Sequence, residues 1–449
     1  MTSTTLTDIT ALGPDGEYRT QRRETIYDTG GAPVAEMSLV PKIFITRSIA
    51  TLRRTPPLPI AARRSALDSA ATIFTTADLG GLSYAEYLDL TRRISGLPAA
   101  VAAAGAHAVA DGLRTAFDAI EAAEPRGATL DWRDQPAGSL WTRRGEVLAV
   151  HAPGNAPGVH GLWPQALALG LRVAVRPSRR EPLTAHRMVL ALRQAGFRDA
   201  DAVFLPTDHA NADQLIAAAP LALVYGGQDV VERYLHNPDV LTNGPGRTKI
   251  LITAEQDWRP FLDTIVDSIA GLAGMACVNA TAVLYEGDVG ELAHAIAERL
   301  ATIPVEALPS TPRATADQLI RLLHSKAGGC TPLLGADQVI HDRGDGYAVL
   351  RPALHLATKP DPAIINVELP FPCAWVAPWQ RTDGLAPLRN TLLLNVITDD
   401  QDLVDQIVTE PTITNVYLGP VATHRSAPQV PHDGFLADFL MRNLGFIRS

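Results

Sequence analysis

The sequence predicts an α/β protein built on parallel sheets with helices on both faces. Three observations carry this. Short apolar runs alternate with helix-period segments from residue 145 to residue 301, and that alternation builds parallel sheets. The runs are apolar almost throughout, as in Val147-Leu148-Ala149-Val150, which marks strands buried on both faces. The alternation restarts near Leu241, so the pattern comes in two units.

Residues 1–35 are polar and punctuated by Gly and Pro, and read as a loose lead-in. Apolar residues at three- and four-residue spacing predict helices over 61–74, 84–94 and 99–122, with Ser83 as a helix cap. Near Thr129 the period changes to two, predicting strands on either side of the turn at Gln135-Pro136-Ala137-Gly138. The first unit has strands over 145–151, 172–176, 202–205 and 221–225, with helices over 161–169, 185–195 and 211–218. The second has strands over 249–253 and 280–285, with helices over 260–272 and 289–301. Residues 308–362 are rich in turns, and the tail is loop-like until a short helix over 435–444.

A chain of 449 residues is too long for one ordinary core and suits two or three domains. With 46% hydrophobic and 19% charged residues it folds as a soluble globular protein. A net charge of −9 argues against nucleic acid or an anionic membrane as partner. No apolar run reaches the roughly 18 residues of a membrane span. Residues 1–15 lack the basic and apolar regions of a signal peptide. Cys277, Cys330 and Cys373 are odd in number and far apart, so neither disulfides nor a metal site is expected, and a reducing cytoplasm is. The histidines show no ligand spacing and read as structural or surface residues.

Four turns and one loop carry chemistry-bearing residues. Cys277 lies in Gly271-Leu272-Ala273-Gly274-Met275-Ala276-Cys277-Val278-Asn279-Ala280. Small neighbours leave its sulfur open, and a helix start nearby favours a thiolate. Equally, a free cysteine can be a small buried hydrophobe. Asn155, in Ala152-Pro153-Gly154-Asn155, follows a predicted strand, where its amide can serve an oxyanion or merely shape a turn. Arg176-Pro177-Ser178-Arg179-Arg180 ends another strand in a cationic turn suited to phosphate. Gly226-Gly227 follows a third strand, where backbone amides can approach a phosphate. Glu368 precedes a rigid turn, Leu369-Pro370-Phe371-Pro372, and suits a ribose hydroxyl or solvent. There is no GxGxxG, Walker or GxSxG motif.

Together, and in this order, these motifs resemble the aldehyde dehydrogenase superfamily over residues 145–375. The resemblance implies a Rossmann-like cofactor domain, a Rossmann-like catalytic domain holding Cys277, a small β oligomerisation element and an N-terminal helical segment. The expected divisions are 1–128 (lead-in and helical part), 129–144 (oligomerisation strand element), 145–240 (cofactor domain), 241–411 (catalytic domain) and 412–449 (oligomerisation tail). It implies that Cys277 is the nucleophile, with Asn155 and the Cys277 backbone N–H as oxyanion hole. Arg176 stands where the family usually has lysine beside the adenosine ribose, with Ser178 in the same turn. Gly226 and Gly227 fall near the pyrophosphate, and Glu368 near the nicotinamide ribose.

Two departures refine the expectation. The family's water-activating acid falls at Asn243, in Asn243-Gly244-Pro245-Gly246-Arg247, and an amide is no general base at neutral pH. Members without that acid resemble acyl-thioester reductases of the acyl-CoA reductase branch, as does Leu82-Ser83-Tyr84-Ala85-Glu86-Tyr87-Leu88. Arg179 stands where NAD-preferring members carry an acid, so NADPH is expected over NADH. The expected reaction is reduction of an acyl-CoA or acyl-carrier-protein thioester to an aldehyde by a homodimer or homotetramer. Alternatives are an NADP-dependent dehydrogenase releasing a carboxylate, and a non-catalytic homologue that binds a partner.

Overall fold

A computed structural model of the protein describes residues 6–448. Two seven-stranded sheets dominate it. The first runs in the order Val240–Asn243, Leu221–Tyr225, Val147–His151, Arg172–Arg176, Ala202–Phe204, Ala11–Gly13, Gly16–Tyr18. Its strands are parallel up to Ala202–Phe204, and the last two are antiparallel. Alternate residues of one strand face opposite cores. Leu148 and Val150 pack with Leu67, Phe74, Val109 and Leu113 of the helices Ile60–Thr76 and Ala99–Arg114. Val147 and Ala149 pack with Ile45 and Ile49 of Lys42–Arg54 and Leu215 of His209–Ala218. Burial on both faces is why these strands are apolar throughout.

The second sheet orders as Thr331–Leu334, Ala353–Leu356, Cys373–Pro378, Ala280–Tyr285, Thr248–Ile252, Thr391–Ile397, Ile413–Leu418. It is parallel except at Thr331–Leu334. Helices Leu262–Ala270 and Val289–Ala301 cover one face through Ile265, Ile269, Leu292 and Ile296. Arg313–Lys326 and Gln401–Val408 cover the other through Ala316, Leu323, Leu403 and Ile407.

In the first sheet chain order reverses at Val147–His151, whose successors lie on one side while Leu221–Tyr225 lies on the other. A crevice opens at the carboxyl end of such a switch point, and the Ala152–Pro157 turn sits there. The loop holding Cys277 enters the second sheet at the amino end of Ala280–Tyr285. The site therefore forms where the carboxyl ends of one sheet meet the amino ends of the other.

Three expectations are corrected. Residues 7–38 are not a loose lead-in. They form the strands Thr7–Ile9, Arg23–Tyr27 and Pro33–Ser38 of a small sheet and lengthen the first large sheet through Ala11–Gly13 and Gly16–Tyr18. The expected terminal helix is shorter, Leu436–Leu440, and the chain then extends as Met441–Ile447 to pair antiparallel with Ala137–Arg143. On the amino side of the Gln135 turn only Ala128–Thr129 is a strand, and Trp132–Asp134 is a turn of 3₁₀-helix. Ser83 caps Tyr84–Ser95 as expected, in a reciprocal capping box with Glu86. Among the described residues no helix is long and apolar enough to cross a membrane.

One close approach locks the two sheets' loops. A Cβ on Gly246 would stand 1.8 Å from the Cys277 carbonyl oxygen. Gly246→Ala should lower stability by about 1–3 kcal/mol through overpacking, measured by chemical denaturation, and slow alkylation of Cys277 by displacing its loop.

Candidate active site

The loop before Cys277 is shaped by its backbone. Helix Leu262–Ala270 ends, and Leu272, Ala273 and Gly274 take φ values of 53°, 59° and 65°. Gly274 is required there twice over: its φ is left-handed, and a Cβ would meet the backbone of Phe371 and Pro372. Asn279 pins the loop from below. Its carbonyl oxygen accepts from Ala276 N–H at 2.9 Å, and its amide donates to the carbonyls of Ser268 (3.2 Å) and Gly271 (2.6 Å). Cys277 is left partly exposed on the wall of a cavity of about 710 Å³. The nearby helix presents its carboxyl end, not its amino end, so the expected dipole support for a thiolate is absent.

Asn155, Ser178, Gly226, Gly227, Asn243, Glu368 and Cys277 all line this cavity. Asn155 Nδ2 donates to the Met275 carbonyl at 3.1 Å, tying the first sheet's switch-point turn to the cysteine loop. One amide proton remains for another acceptor. Asn243 is buried and stands at the strand end beside Tyr225. Its backbone carbonyl accepts from Gly226 N–H at 3.1 Å, so that N–H is already used. Glu368 Oε1 accepts from Gly246 N–H (2.9 Å) and Arg247 N–H (3.0 Å). Burial pushes the Glu368 carboxyl up, and these two donors oppose the rise.

Arg176 and Arg179 lie off the cavity wall, while Arg180 is on it. Arg176 is buried and its Nε has no partner within the protein. Arg179 pairs with Glu24 at 2.6 Å, a contact supplied by the N-terminal sheet. Ser178 Oγ accepts from Arg180 N–H at 3.2 Å. A Cβ on Gly154 would stand 2.3 Å from that Oγ, so glycine lets the two turns touch.

The residues fit a dinucleotide. The cavity runs from the Ser178–Arg180 turn past Gly226 to Glu368 and Cys277. It offers glycine-walled access at Gly154, the cationic side chain of Arg180 on its wall, and a carboxylate with one oxygen unengaged at the other end.

The sequence reading missed one pair of residues. His432 Nε2 lies 3.3 Å from Cys277 Sγ, and His432 Nδ1 lies 2.8 Å from Asp433 Oδ2. Both residues line the cavity. The reading of all histidines as structural or surface residues is corrected here. It suits His151, His160 and His186, whose imidazoles burial pulls down to about 4. Burial pulls His432 down too, but its bonds to Asp433 and Cys277 outweigh this and hold it well above the usual range. The only signal in the sequence was a His-Asp pair in a Pro/Gly-flanked turn, Pro431-His432-Asp433-Gly434.

The family model described as "Aldehyde dehydrogenase family" matches residues 47–437. Malonate-semialdehyde dehydrogenase 1 of Oceanobacillus iheyensis is 32% identical over 105 residues, which is 23% of this chain and 18% of that one. A Caenorhabditis elegans protein is described as a probable methylmalonate-semialdehyde/malonate-semialdehyde dehydrogenase [acylating]. It is 24% identical over 243 residues, covering 50% of this chain and 46% of that one. The chain thus matches less than half the length of these relatives. The solved structure of an indole-3-acetaldehyde dehydrogenase with NAD+ superposes with a TM-score of 0.81 at 15% identity, covering 98% of this chain and 96% of that one. At that identity the likeness is one of fold, and it agrees with the two-sheet architecture above. With the family match running over nearly the whole length and the cysteine, asparagine and glutamate meeting in one crevice, the chain belongs to the aldehyde dehydrogenase family.

Proposed function

We propose that this oxidoreductase exchanges an acyl group between a thioester and Cys277 and reduces it to an aldehyde with NADPH, the donor being an acyl-CoA or an acyl-carrier protein. The observation that carries the reading is Asn243: an amide stands buried on the cavity wall where the resemblance puts a water-activating carboxylate. An amide cannot take a proton from water at neutral pH, so hydrolysis of the acyl-enzyme lacks its usual base. The name of the Caenorhabditis elegans relative, [acylating], describes the same exchange run toward the thioester. The relatives named for aldehyde oxidation support the runner-up, an NADP-dependent dehydrogenase releasing a carboxylate; a base other than residue 243 is then required.

Cys277 attacks the thioester carbonyl and a new C–S bond forms. Asn155 Nδ2 and the Cys277 backbone N–H donate to the oxygen that becomes negative. The donor's C–S bond then breaks and its thiol departs, leaving the acyl group on Cys277. When bound, the nicotinamide cofactor supplies the hydride. Ser178 on the cavity wall would hold its adenosine end, with Arg176 and Arg179 of the same turn behind it and Arg180 beside it; Gly226 and Gly227 would let its pyrophosphate approach, and Glu368 would bind the nicotinamide ribose. The sheet of Ala137–Arg143 and Met441–Ile447 joins copies of the chain as a homodimer or homotetramer. Its neighbourhood exposes Leu130, Trp132, Leu444 and Ile447, the last at 89%, an apolar content that suits a subunit contact.

Incubated with a panel of acyl-CoA and acyl-carrier thioesters and NADPH, the enzyme should yield aldehyde by mass detection. Cys277→Ala should yield none, and Asn155→Ala should lower kcat about 10²–10³-fold. Release of free carboxylate faster than exchange with a thiol would instead establish the runner-up. Asn243→Glu should raise carboxylate release by returning an acid to that wall.

Cofactor choice rests on a shared cation. A 2′-phosphate must compete with Glu24 for Arg179. Glu24→Gln should raise kcat/KM with NADPH relative to NADH, and Arg179→Glu should reverse the preference. Steady-state kinetics with both nucleotides checks the two.

A further inference from the structure

We propose that His432, oriented by Asp433, is the proton carrier of acyl exchange at Cys277: it takes the proton of the sulfur that attacks and returns it to the sulfur that leaves. This rests on the thioester reading above, in which the second acyl partner is a thiol.

The geometry is that of an activated nucleophile. Nε2 of His432 stands 3.3 Å from the Cys277 sulfur, and Nδ1 stands 2.8 Å from the Asp433 carboxylate. A carboxylate on Nδ1 orients the ring so that Nε2 faces the sulfur and favours a proton on it. The backbone at His432 is also held, since Asn415 Nδ2 donates to the His432 carbonyl. Asn415 lies on the edge strand Ile413–Leu418, a rigid part of the second sheet. The imidazole is thus braced against the framework that also carries the cysteine loop.

The groups facing this pair do not compete for the role. Tyr225 lies near Cys277 and Asp433, and burial first, then the charges of those two, keep its phenol neutral. Arg180 and Glu368 share the cavity wall, but the bonds of Glu368 Oε1 go to backbone N–H groups. His432 is the group in contact with the reacting sulfur.

The step balances without an oxidant or reductant. The Cys277 proton passes to Nε2 as the ion pair forms, and the thiolate then bonds to the acyl carbon. The donor's C–S bond breaks, and the imidazolium returns the proton to the departing thiolate. In reverse, His432 takes the proton of an incoming thiol and gives it to Cys277 as that sulfur leaves. A departing thiolate is a strong base at neutral pH, so a proton held on Nε2 between the two sulfurs makes exchange rapid in either direction.

The test uses the full chain without nicotinamide cofactor, so hydride transfer does not enter. Iodoacetamide alkylation of Cys277 is followed by peptide mass against pH. A short-chain acyl-CoA then acylates the enzyme, and release to pantetheine or to buffer is read by intact mass. Wild-type alkylation should stay fast down to about pH 6. In His432→Gln it should rise only toward the ordinary thiol range, and transfer to pantetheine should fall about 10²–10⁴-fold. Asp433→Asn should shift both in the same direction and less far, with thermal unfolding confirming that each variant is folded. An unchanged alkylation profile and thiol transfer in both variants would overturn the assignment. So would a variant that loses release to water while keeping transfer to thiol. Failure of wild type to acylate with any thioester overturns the thioester reading instead, whatever the alkylation profile shows.

Discussion

The hydrogen bond from Asn155 Nδ2 to the Met275 carbonyl joins the two halves of the site. Asn155 leaves the carboxyl end of one sheet, and Met275 approaches the amino end of the other. Neither sheet alone brings the Asn155 amide and Cys277 to the wall of one cavity. The contact is short-ranged, so the surrounding chain must come very close. It does so because glycine stands at each point of near-contact: Gly154 against Ser178, Gly246 against Cys277, Gly274 against Phe371 and Pro372. A single Cβ at any of these would push apart turns that carry site residues. Those glycines are packing requirements that serve chemistry, and two of them need no unusual φ.

Where sequence and structure agree, the cause is burial on both faces. Arg172–Arg176, Leu221–Tyr225, Ala280–Tyr285 and Val289–Ala301 have the bounds that their patterns predict. Such strands are apolar over most of their length and such helices carry a clean stripe, so the pattern is strong. Of the N-terminal strands, Thr7–Ile9 and Gly16–Tyr18 failed to show because they are three residues long and lie at sheet edges. Gly16–Tyr18, for example, faces solvent in part along its whole length. Met441–Ile447 failed to show for a different reason. It is extended because Ala137–Arg143 pairs with it, some 304 residues away at Ser139 and Asn443. Local propensity cannot reveal a partner at that distance.

The site divides the same way. Cys277, Asn155 and Glu368 were legible because each sits in a turn at the end of a strong strand, in an order that resembles a known family. The details around them were not. Arg179 read as a free cation, yet Glu24 reaches it from a segment that had looked like loop. Gly226 read as an open amide, yet its N–H serves the Asn243 carbonyl. In both cases the partner comes from an element whose position only the assembled sheets determine.

His432 extends that point to the chemistry. A thiolate needs a positive neighbour, and the cysteine loop supplies none of its own: the helix before it ends there, and its macrodipole is negative at that end. The sequence-local account of an activated cysteine therefore fails, and the charge must come from elsewhere in the chain. It comes from a turn 155 residues onward, carried past the edge strand of the same sheet. The two unusual features of the cavity then have one explanation. A buried amide stands at position 243 on the cavity wall, and the imidazole of His432 stands beside the Cys277 sulfur in the same cavity. On the proposed reading, such a site favours proton transfer between thiols over activation of water.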